Sequence, residues 1–510
     1  MKKYMLLFWL LSALAVHAFS QQTSPPAFVR DSLDGYVERS MRNWEVPGLA
    51  VCIVKDGQVL LMKGFGNKTL GGQDPVDENT LFMIGSNTKA FTATALALLA
   101  DEKKISLDDK VTKWIPEFKL ENKAAGEQAI IRDLLCHRIG FMTFQGDFTY
   151  WTSTLSRKEV IEKMAHIRAH YPFRSTYGYT NAAFVTAGEI IPRATGMSWE
   201  EFVRRRIFEP LGMTRTLALS KDLAGASNQA TPHTYADNKL VAIPVCAIDN
   251  LGPAGSISSS VNDLSKWVLM QLGNGSLDGR AVIPASVIKE IRKPHTIVSD
   301  GPPLYNTGHF ELYGLGFFLQ DYQGRKIVSH TGGVNGFVSS VTLVPEEKLG
   351  IIVLTNTDHN ALYEALKWEI LDAYLGLPYR NYSNVYLGMV KAQNLAGQKS
   401  DKMLMDSAAL GLAPGLPLQA YTGDFVNEVY GKMSVALEGG ELRMHFSHHP
   451  GMYGGLQSLG NHRFYVRFSD PEFGKAVFPF TVEKGKVKSV RVKVADFIEY
   501  DPYVFVKTSP

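Results

Sequence analysis

The order of hydrophobic patterns along the 510 residues predicts an α+β protein. An antiparallel sheet flanked by helices, with a mainly helical subdomain, should be followed by a small all-β barrel or sandwich. Three observations carry this. An apolar strand pair lies near the start, and helix-forming sequence fills the middle. Strand sequence then returns late in the chain, closed by one more helix and followed by short strands of period two.

The chain opens Met1-Lys2-Lys3, runs almost wholly apolar from Tyr4 to Val16, and then offers small residues for cleavage around Ala18 to Ser20. A charged start, a short apolar stretch and a small-residue exit describe a Sec-type signal peptide over 1–20, hence a secreted or periplasmic protein. The apolar run is shorter than the roughly 20 residues of a spanning helix, and no later segment is long and apolar enough, so no stable membrane insertion is expected after cleavage. No Cys follows the apolar stretch, which argues against a lipoprotein.

Phe28 to Trp44 reads as an amphipathic helix ending before Pro47-Gly48. Leu49 to Val54 is a buried strand, Asp56-Gly57 a tight turn, and Val59 to Met62 the return strand. The Ala/Leu-rich run Thr92 to Ala100 is a strong helix, Ser106 to Asp109 opens a further helical turn, and Ile130 to Leu135 leads into Cys136-His137-Arg138. A loop-rich stretch covers Phe141 to Thr154, and helices are expected at 157–168, 181–194 and 198–209. Ser260-Val261-Asn262-Asp263 is a capping box for the helix through Met270.

Strands follow at Leu315–Asp321, Lys326–Ser329, Phe337–Pro345 and Gly350–Thr355, then a helix from Ala361 to Leu375. The late strands should join the N-terminal hairpin in one sheet. Residues 384–412 read as helical, and Pro414-Gly415-Leu416-Pro417 breaks that pattern. Thereafter Leu442, Met444 and Phe446, and later Val490, Val492 and Val494, alternate with polar neighbours. The expected division is a signal peptide at 1–20, a first domain at 21–380, a helical linker at 381–417 and a β domain at 418–510.

Composition excludes several classes. The net charge is +3, and losing Lys2 and Lys3 with the signal peptide leaves +1, so nothing attracts nucleic acid. Three cysteines, Cys52, Cys136 and Cys246, are too few for a disulfide framework and have no metal-site spacing. His445 and His449 would share a face on one strand, but no further ligands accompany them, so no metal and no cofactor is expected.

The chemistry gathers around Gly85-Ser86-Asn87-Thr88-Lys89. Ser86 sits at a helix N-terminus and Lys89 one turn later on the same face, placing a hydroxyl beside an amine where free N–H groups favour negative charge. Ser-x-x-Lys recurs at Ser286 to Lys289 without partners. The first copy has company: Tyr179-Thr180-Asn181 just before an apolar helix, then His330-Thr331-Gly332-Gly333 at the end of a strand.

With these three motifs in order, the chain resembles the serine β-lactamase and penicillin-binding-protein superfamily. Within it, it is similar to the class C-like serine hydrolases of D-aminopeptidase, carboxypeptidase and esterase type. The likeness covers about residues 28–380, supported by Val46 to Val51, Arg132 to His137 and Pro253 to Ser260. The C-terminal domain is similar to the lipocalin-like domain of some members. The resemblance implies a β-lactamase/transpeptidase-like fold and an acyl-enzyme on Ser86, with Lys89 and Tyr179 as a coupled proton-transfer unit. It implies that Asn181 binds Lys89 and the substrate amide. An oxyanion hole would form from the N–H groups of Ser86 and Gly333, where glycine lets the strand edge approach the substrate. Thr331 and His330 would bind substrate. Gln145, in the loop after Gly140, is read from its position as a candidate for lining the pocket, against the alternative of an exposed loop glutamine. No separate deacylating glutamate is evident, so Tyr179 should also activate the deacylating water.

His330 departs from the family, which usually carries lysine there. Histidine is mostly neutral at pH 7, so recognition of a substrate carboxylate should weaken. The expected function is an exported serine hydrolase acting on small peptides or amides with a D-residue. Carboxylesters come next, and β-lactamase activity is expected to be weak. A non-catalytic peptidoglycan-binding or sensor protein is the alternative of another class. The expected partner is that peptide, amide or ester substrate, with homo-oligomerisation left open. Three roles fit the C-terminal domain: shaping the cleft, oligomerisation, or ligand binding.

Overall fold

The computed structural model describes residues 24–299 and 308–508; the signal peptide expected over 1–20 lies outside the described residues. An eight-stranded sheet is ordered Gln58–Gly66, Gly48–Lys55, Leu349–Thr355, Phe337–Val344, Arg325–Val334, Phe318–Tyr322, Glu311–Tyr313 and Thr296–Ser299. All neighbours are antiparallel. Cys52 opposes Ile352, so the N-terminal strand pairs with the late strands across nearly the whole domain sequence.

The central strands are buried on both faces, and alternate residues feed two cores. Val51, Ile53, Ile351 and Val353 pack under the Leu33–Trp44 and Leu362–Tyr374 helices. Ala50, Cys52, Ile352 and Leu354 face the opposite core with the Thr88–Asp101 and Val261–Leu272 helices. The Thr88–Asp101 helix is buried from Thr88 through Leu99, as its Ala/Leu-rich sequence requires. All three cysteines are free and buried.

Helix ends depart from the sequence reading in places. The expected 157–168 helix stops at Lys163 and finishes as a 3₁₀ turn, Met164–His166. The capping box at Ser260 is half formed. Ser260 accepts from the Asp263 N–H, but the Asp263 carboxylate turns to Arg215 N and Thr216 Oγ1 instead. The loop-rich stretch holds one helical turn, Asp147–Tyr150, whose four residues are too few to show a period. His449 lies beyond the Glu441–Phe446 strand rather than on a face shared with His445. There it bridges Tyr430 Oη and the Trp151 carbonyl, while His445 pairs with Glu438.

The 28-residue helix Tyr382–Ala409 leads to a closed eight-stranded barrel that begins at Gly423–Asn427 and ends at Tyr503–Lys507. Inward-facing side chains, among them Met444, Phe464, Phe478 and Phe505, fill its interior. The barrel and the first domain share one continuous hydrophobic core.

Candidate active site

Ser86 lies in a 3₁₀ turn, Gly85–Asn87, that runs directly into the Thr88–Asp101 helix. The turn is pressed against the Arg325–Val334 strand so closely that a Cβ on Gly332 would lie 1.9 Å from the Ile84 carbonyl oxygen. Gly85 has φ +52°, and its Cβ would lie 2.9 Å from the Gly333 N. The close approach therefore rests on Gly85 and Gly332. A Cβ on Gly333 would meet the Phe497 ring at an ordinary 3.5 Å and Val338 Cγ1 at 4.0 Å. Asn87 Nδ2 donates to Ser339 Oγ at 2.8 Å, and Ser339 donates to the Ile84 carbonyl, fixing turn to sheet.

Lys89 is fully buried. Its Nζ is 3.1 Å from Ser86 Oγ, 2.7 Å from Asn181 Oδ1 and 2.9 Å from the Ala254 carbonyl oxygen. Two of these partners can only accept. A neutral amine has two N–H groups for those carbonyls, and its lone pair is left for the Ser86 hydroxyl. Burial pushes the Lys89 pKa well below the usual ammonium range, with the Asp147 charge opposing. Desolvation favours the neutral amine, the form that a general base requires.

Tyr179 is buried beside it, its ring centroid 4.5 Å from Lys89 Nζ. Burial pushes the phenol up, opposed by its hydrogen-bonding contact with Ser86. Burial thus acts against the charged form of both partners, the ammonium of Lys89 and the phenolate of Tyr179. His137, with φ +56°, packs against Tyr179 with ring centroids 4.3 Å apart and planes tilted by 32°, and accepts from the Thr180 N–H through Nδ1.

Asn181 has a second partner that the sequence did not announce. Its Nδ2 donates to Asp147 Oδ2 at 2.5 Å. Asp147 is buried, and desolvation raises its carboxyl to about 7, against the Asn181 bond and the Lys89 charge. A chain of contacts therefore runs Asp147, Asn181, Lys89, Ser86. The turn carrying Asp147 is capped from the barrel. Glu499 accepts from Gly146 N at 2.8 Å and Phe148 N at 2.9 Å, and Tyr503 Oη donates to it at 2.7 Å.

His330 is buried and spent. Its Nδ1 is 2.5 Å from the Thr331 carbonyl, which can only accept, so the proton sits on Nδ1. Its Nε2 then accepts from Tyr313 Oη at 2.9 Å. Burial and the Lys89 charge push its pKa down to about 3. Both ring nitrogens are thus engaged by the protein, and burial disfavours the imidazolium. Thr331 lies half-buried on the same strand opposite Ser340. Gln145 is engaged by its own loop, accepting from Met142 N and donating to the Arg168 carbonyl. The unaccompanied copy of the first motif is a surface feature, with Ser286 donating to Asp101.

Comparison with known proteins bears on the family and the fold. A family model described as Beta-lactamase matches residues 33–375, and a domain of unknown function, DUF3471, matches 408–507. The chain is 26% identical over 447 residues to the Unguisins hydrolase ungD of Aspergillus violaceofuscus, covering 81% of this chain and 78% of that one. It is 26% identical over 365 residues to Protein flp of Staphylococcus aureus, covering 70% and 68%. Among solved structures, the octameric penicillin-binding protein homologue from Pyrococcus abyssi superposes with a TM-score of 0.61 at 23% identity, over 93% of this chain and 99% of that one. A D-stereospecific amidohydrolase from Streptomyces sp. gives 0.54 at 22%, over 67% and 98%.

Proposed function

The chain belongs to the Beta-lactamase family of serine hydrolases, and from that premise we propose that Ser86 attacks a carbonyl to form an acyl-enzyme in an exported enzyme cleaving amide or ester bonds. The single observation that carries this reading is the coordination of Lys89. A buried amine held by two carbonyl oxygens, with its remaining valence on Ser86 Oγ, is a base ready to take the serine proton.

As Ser86 Oγ bonds to the carbonyl carbon, its proton passes to Lys89 Nζ. The resulting ammonium is stabilised by the Asn181 and Ala254 oxygens and by the Asp147 carboxylate beyond. The oxyanion is held by the N–H groups of Ser86 and Gly333, a contribution of roughly 3–4 kcal/mol per donor in comparable sites. Tyr179 relays a proton to the leaving group and then assists water in releasing the acyl group.

Small peptides or amides containing a D-residue are the favoured substrates, with carboxylesters next. A D-stereospecific amidohydrolase of the same fold supports the first. The neutral His330 argues against β-lactams, whose recognition in the family leans on a cation at that position. Assembly into a homo-oligomer is part of the same reading, on the likeness to an octameric homologue. The test is fluorophosphonate labelling of the full chain, with turnover of D-alanyl-p-nitroanilide, D-Ala-D-Ala peptides, p-nitrophenyl esters and nitrocefin by wild type and Ser86→Ala. Label on Ser86 and Ser86-dependent turnover support the reading. Absence of both would overturn it.

A further inference from the structure

Two aromatic rings of the C-terminal barrel stand at the active site without a packing role that explains their exposure. Phe497 is 42% exposed and Tyr500 46%, although the segment between them is anchored in the interior. Ile498 and Glu499 are buried, and Glu499 binds the Gly146 and Phe148 amides of the first domain. Lys493 Nζ ties the segment's two ends, donating to the Val494 and Glu499 carbonyls at 2.9 and 2.6 Å. The loop is thus fixed, and its two exposed rings are held in place by their neighbours.

Phe497 touches the site directly, and Tyr500 reaches it through one intervening ring. The Phe497 ring lies 3.5 Å from where a Cβ on Gly333 would be, beside the proposed oxyanion donor. The ring also meets Trp151, centroids 5.9 Å apart and perpendicular. Tyr500 stacks on Phe144 at 5.9 Å, and Phe144 in turn meets the Tyr179 ring edge-on at 5.7 Å. One loop of the second domain therefore reaches both the oxyanion side and the phenol side of the site.

We propose that Phe497 and Tyr500 form an aromatic wall, contributed by the barrel, that binds an apolar or aromatic acyl group of the substrate. This rests on the reading of Ser86 as the nucleophile and names the substrate class of that site. The acyl group remains attached through acylation and deacylation, so a wall beside the oxyanion donor acts on both steps. Exposed aromatic rings offer a substrate apolar area and ring stacking. The neutral His330 leaves apolar contact rather than charge to select the substrate. The catalytic residues all come from the first domain, whereas the wall comes from the second, so the cleft is complete only with both.

The experiment compares p-nitrophenyl phenylacetate with p-nitrophenyl acetate, which share a leaving group, on wild type, Phe497→Ala, Tyr500→Ala and the double variant of the full chain. Fluorophosphonate labelling of Ser86 is measured in parallel. The ratio of kcat/KM for phenylacetate over acetate should fall about tenfold in the double variant, with each single variant between. An unchanged ratio in variants that label normally would overturn the wall and leave the nucleophile standing. A wild type that neither labels nor turns over either ester would overturn the nucleophile, and the wall with it. Both side chains are exposed, so the variants should fold; Phe497→Leu, which keeps apolar area, should recover part of the ratio.

Discussion

Asp147 and Phe148 are adjacent in sequence and serve opposite domains. The Asp147 carboxylate accepts from Asn181 Nδ2 at 2.5 Å, one bond away from Lys89. The Phe148 ring sits among barrel side chains, stacked 4.8 Å from Tyr430 and edge-on to Phe446, Phe473 and Tyr503. One helical turn thus couples the proton network of the first domain to the packing of the second.

The charge of Asp147 should be visible in the pH dependence of catalysis. Its negative charge raises the Lys89 pKa, which burial otherwise depresses. Catalysis needs the neutral amine, so kcat/KM rises with pH as Lys89 loses its proton. Asp147→Asn keeps an oxygen for Asn181 but removes the charge, which lowers the Lys89 pKa further. The acid limb of the kcat/KM profile should therefore move to lower pH. A limb that stays in place, or moves up, would remove Asp147 from the network.

Phe148 should matter to stability. Truncating a fully buried phenylalanine leaves a cavity and typically costs about 3–5 kcal/mol. Phe148→Ala should lose about that much in denaturant unfolding, and Phe148→Leu should lose less. If the barrel docks through this ring, near-UV circular dichroism should show loosened aromatic packing in Phe148→Ala under native conditions.

The visibility of these features in the sequence differed for a physical reason. Ser86 and Lys89 are three residues apart where a 3₁₀ turn runs into a helix, and Tyr179 and Asn181 flank one helix start, so local spacing exposes them. The sheet was legible because strands buried on both faces are continuous apolar runs, as in Leu49 to Val54. Asp147 lies in a four-residue turn with no period to read. Its cap, Glu499, is 353 positions from Gly146, and no local pattern signals that pairing. His330 stood out as a departure, but its burial against Tyr313 is a property of packing that its motif does not encode.

Stability should fall as pH rises through neutrality. Burial raises Glu499 from an ordinary 4.5 to about 8, against three hydrogen-bond donors, and raises Glu472 to about 8 beside Asp358. A carboxyl with a raised folded pKa holds its proton in the folded chain after the unfolded chain has lost it. Its contribution is full below about 4.5 and is lost as pH approaches about 8. Unfolding free energy should therefore decline between pH 5 and pH 8, by at most on the order of 1 kcal/mol per pH unit for each group. The Gly146 and Phe148 amides bond to different oxygens of Glu499, so Glu499→Gln keeps a carbonyl for only one of them; it should lower stability overall and flatten that slope. An equally steep slope in the variant would contradict the assignment.

Tyr179→Phe separates the two half-reactions. Loss of one proton-transfer group typically costs 10²–10⁴-fold, so turnover should drop by about 100-fold or more. Lys89 still faces Ser86, so fluorophosphonate should label the variant. With a p-nitrophenyl ester, whose leaving group needs no proton, the variant should give a burst of p-nitrophenol followed by slow release, with the acyl adduct visible by mass spectrometry. Full turnover would exclude Tyr179 from deacylation.

The final prediction concerns the substrate's own charge. A lysine at position 330 would present an ammonium to a substrate carboxylate, whereas His330 holds its proton on Nδ1 toward Thr331 and receives one on Nε2 from Tyr313. Its pKa of about 3 keeps it neutral across any assay between pH 5 and pH 8. A free carboxylate must then leave water for a site where this position supplies no counter-charge, which costs binding energy. Blocking that carboxylate as a methyl ester or amide should therefore leave kcat/KM equal or higher, and nitrocefin should be hydrolysed slowly beside D-aminoacyl amides or p-nitrophenyl esters. A free acid preferred tenfold or more over its blocked form would show that a cation elsewhere in the cleft has taken over the role.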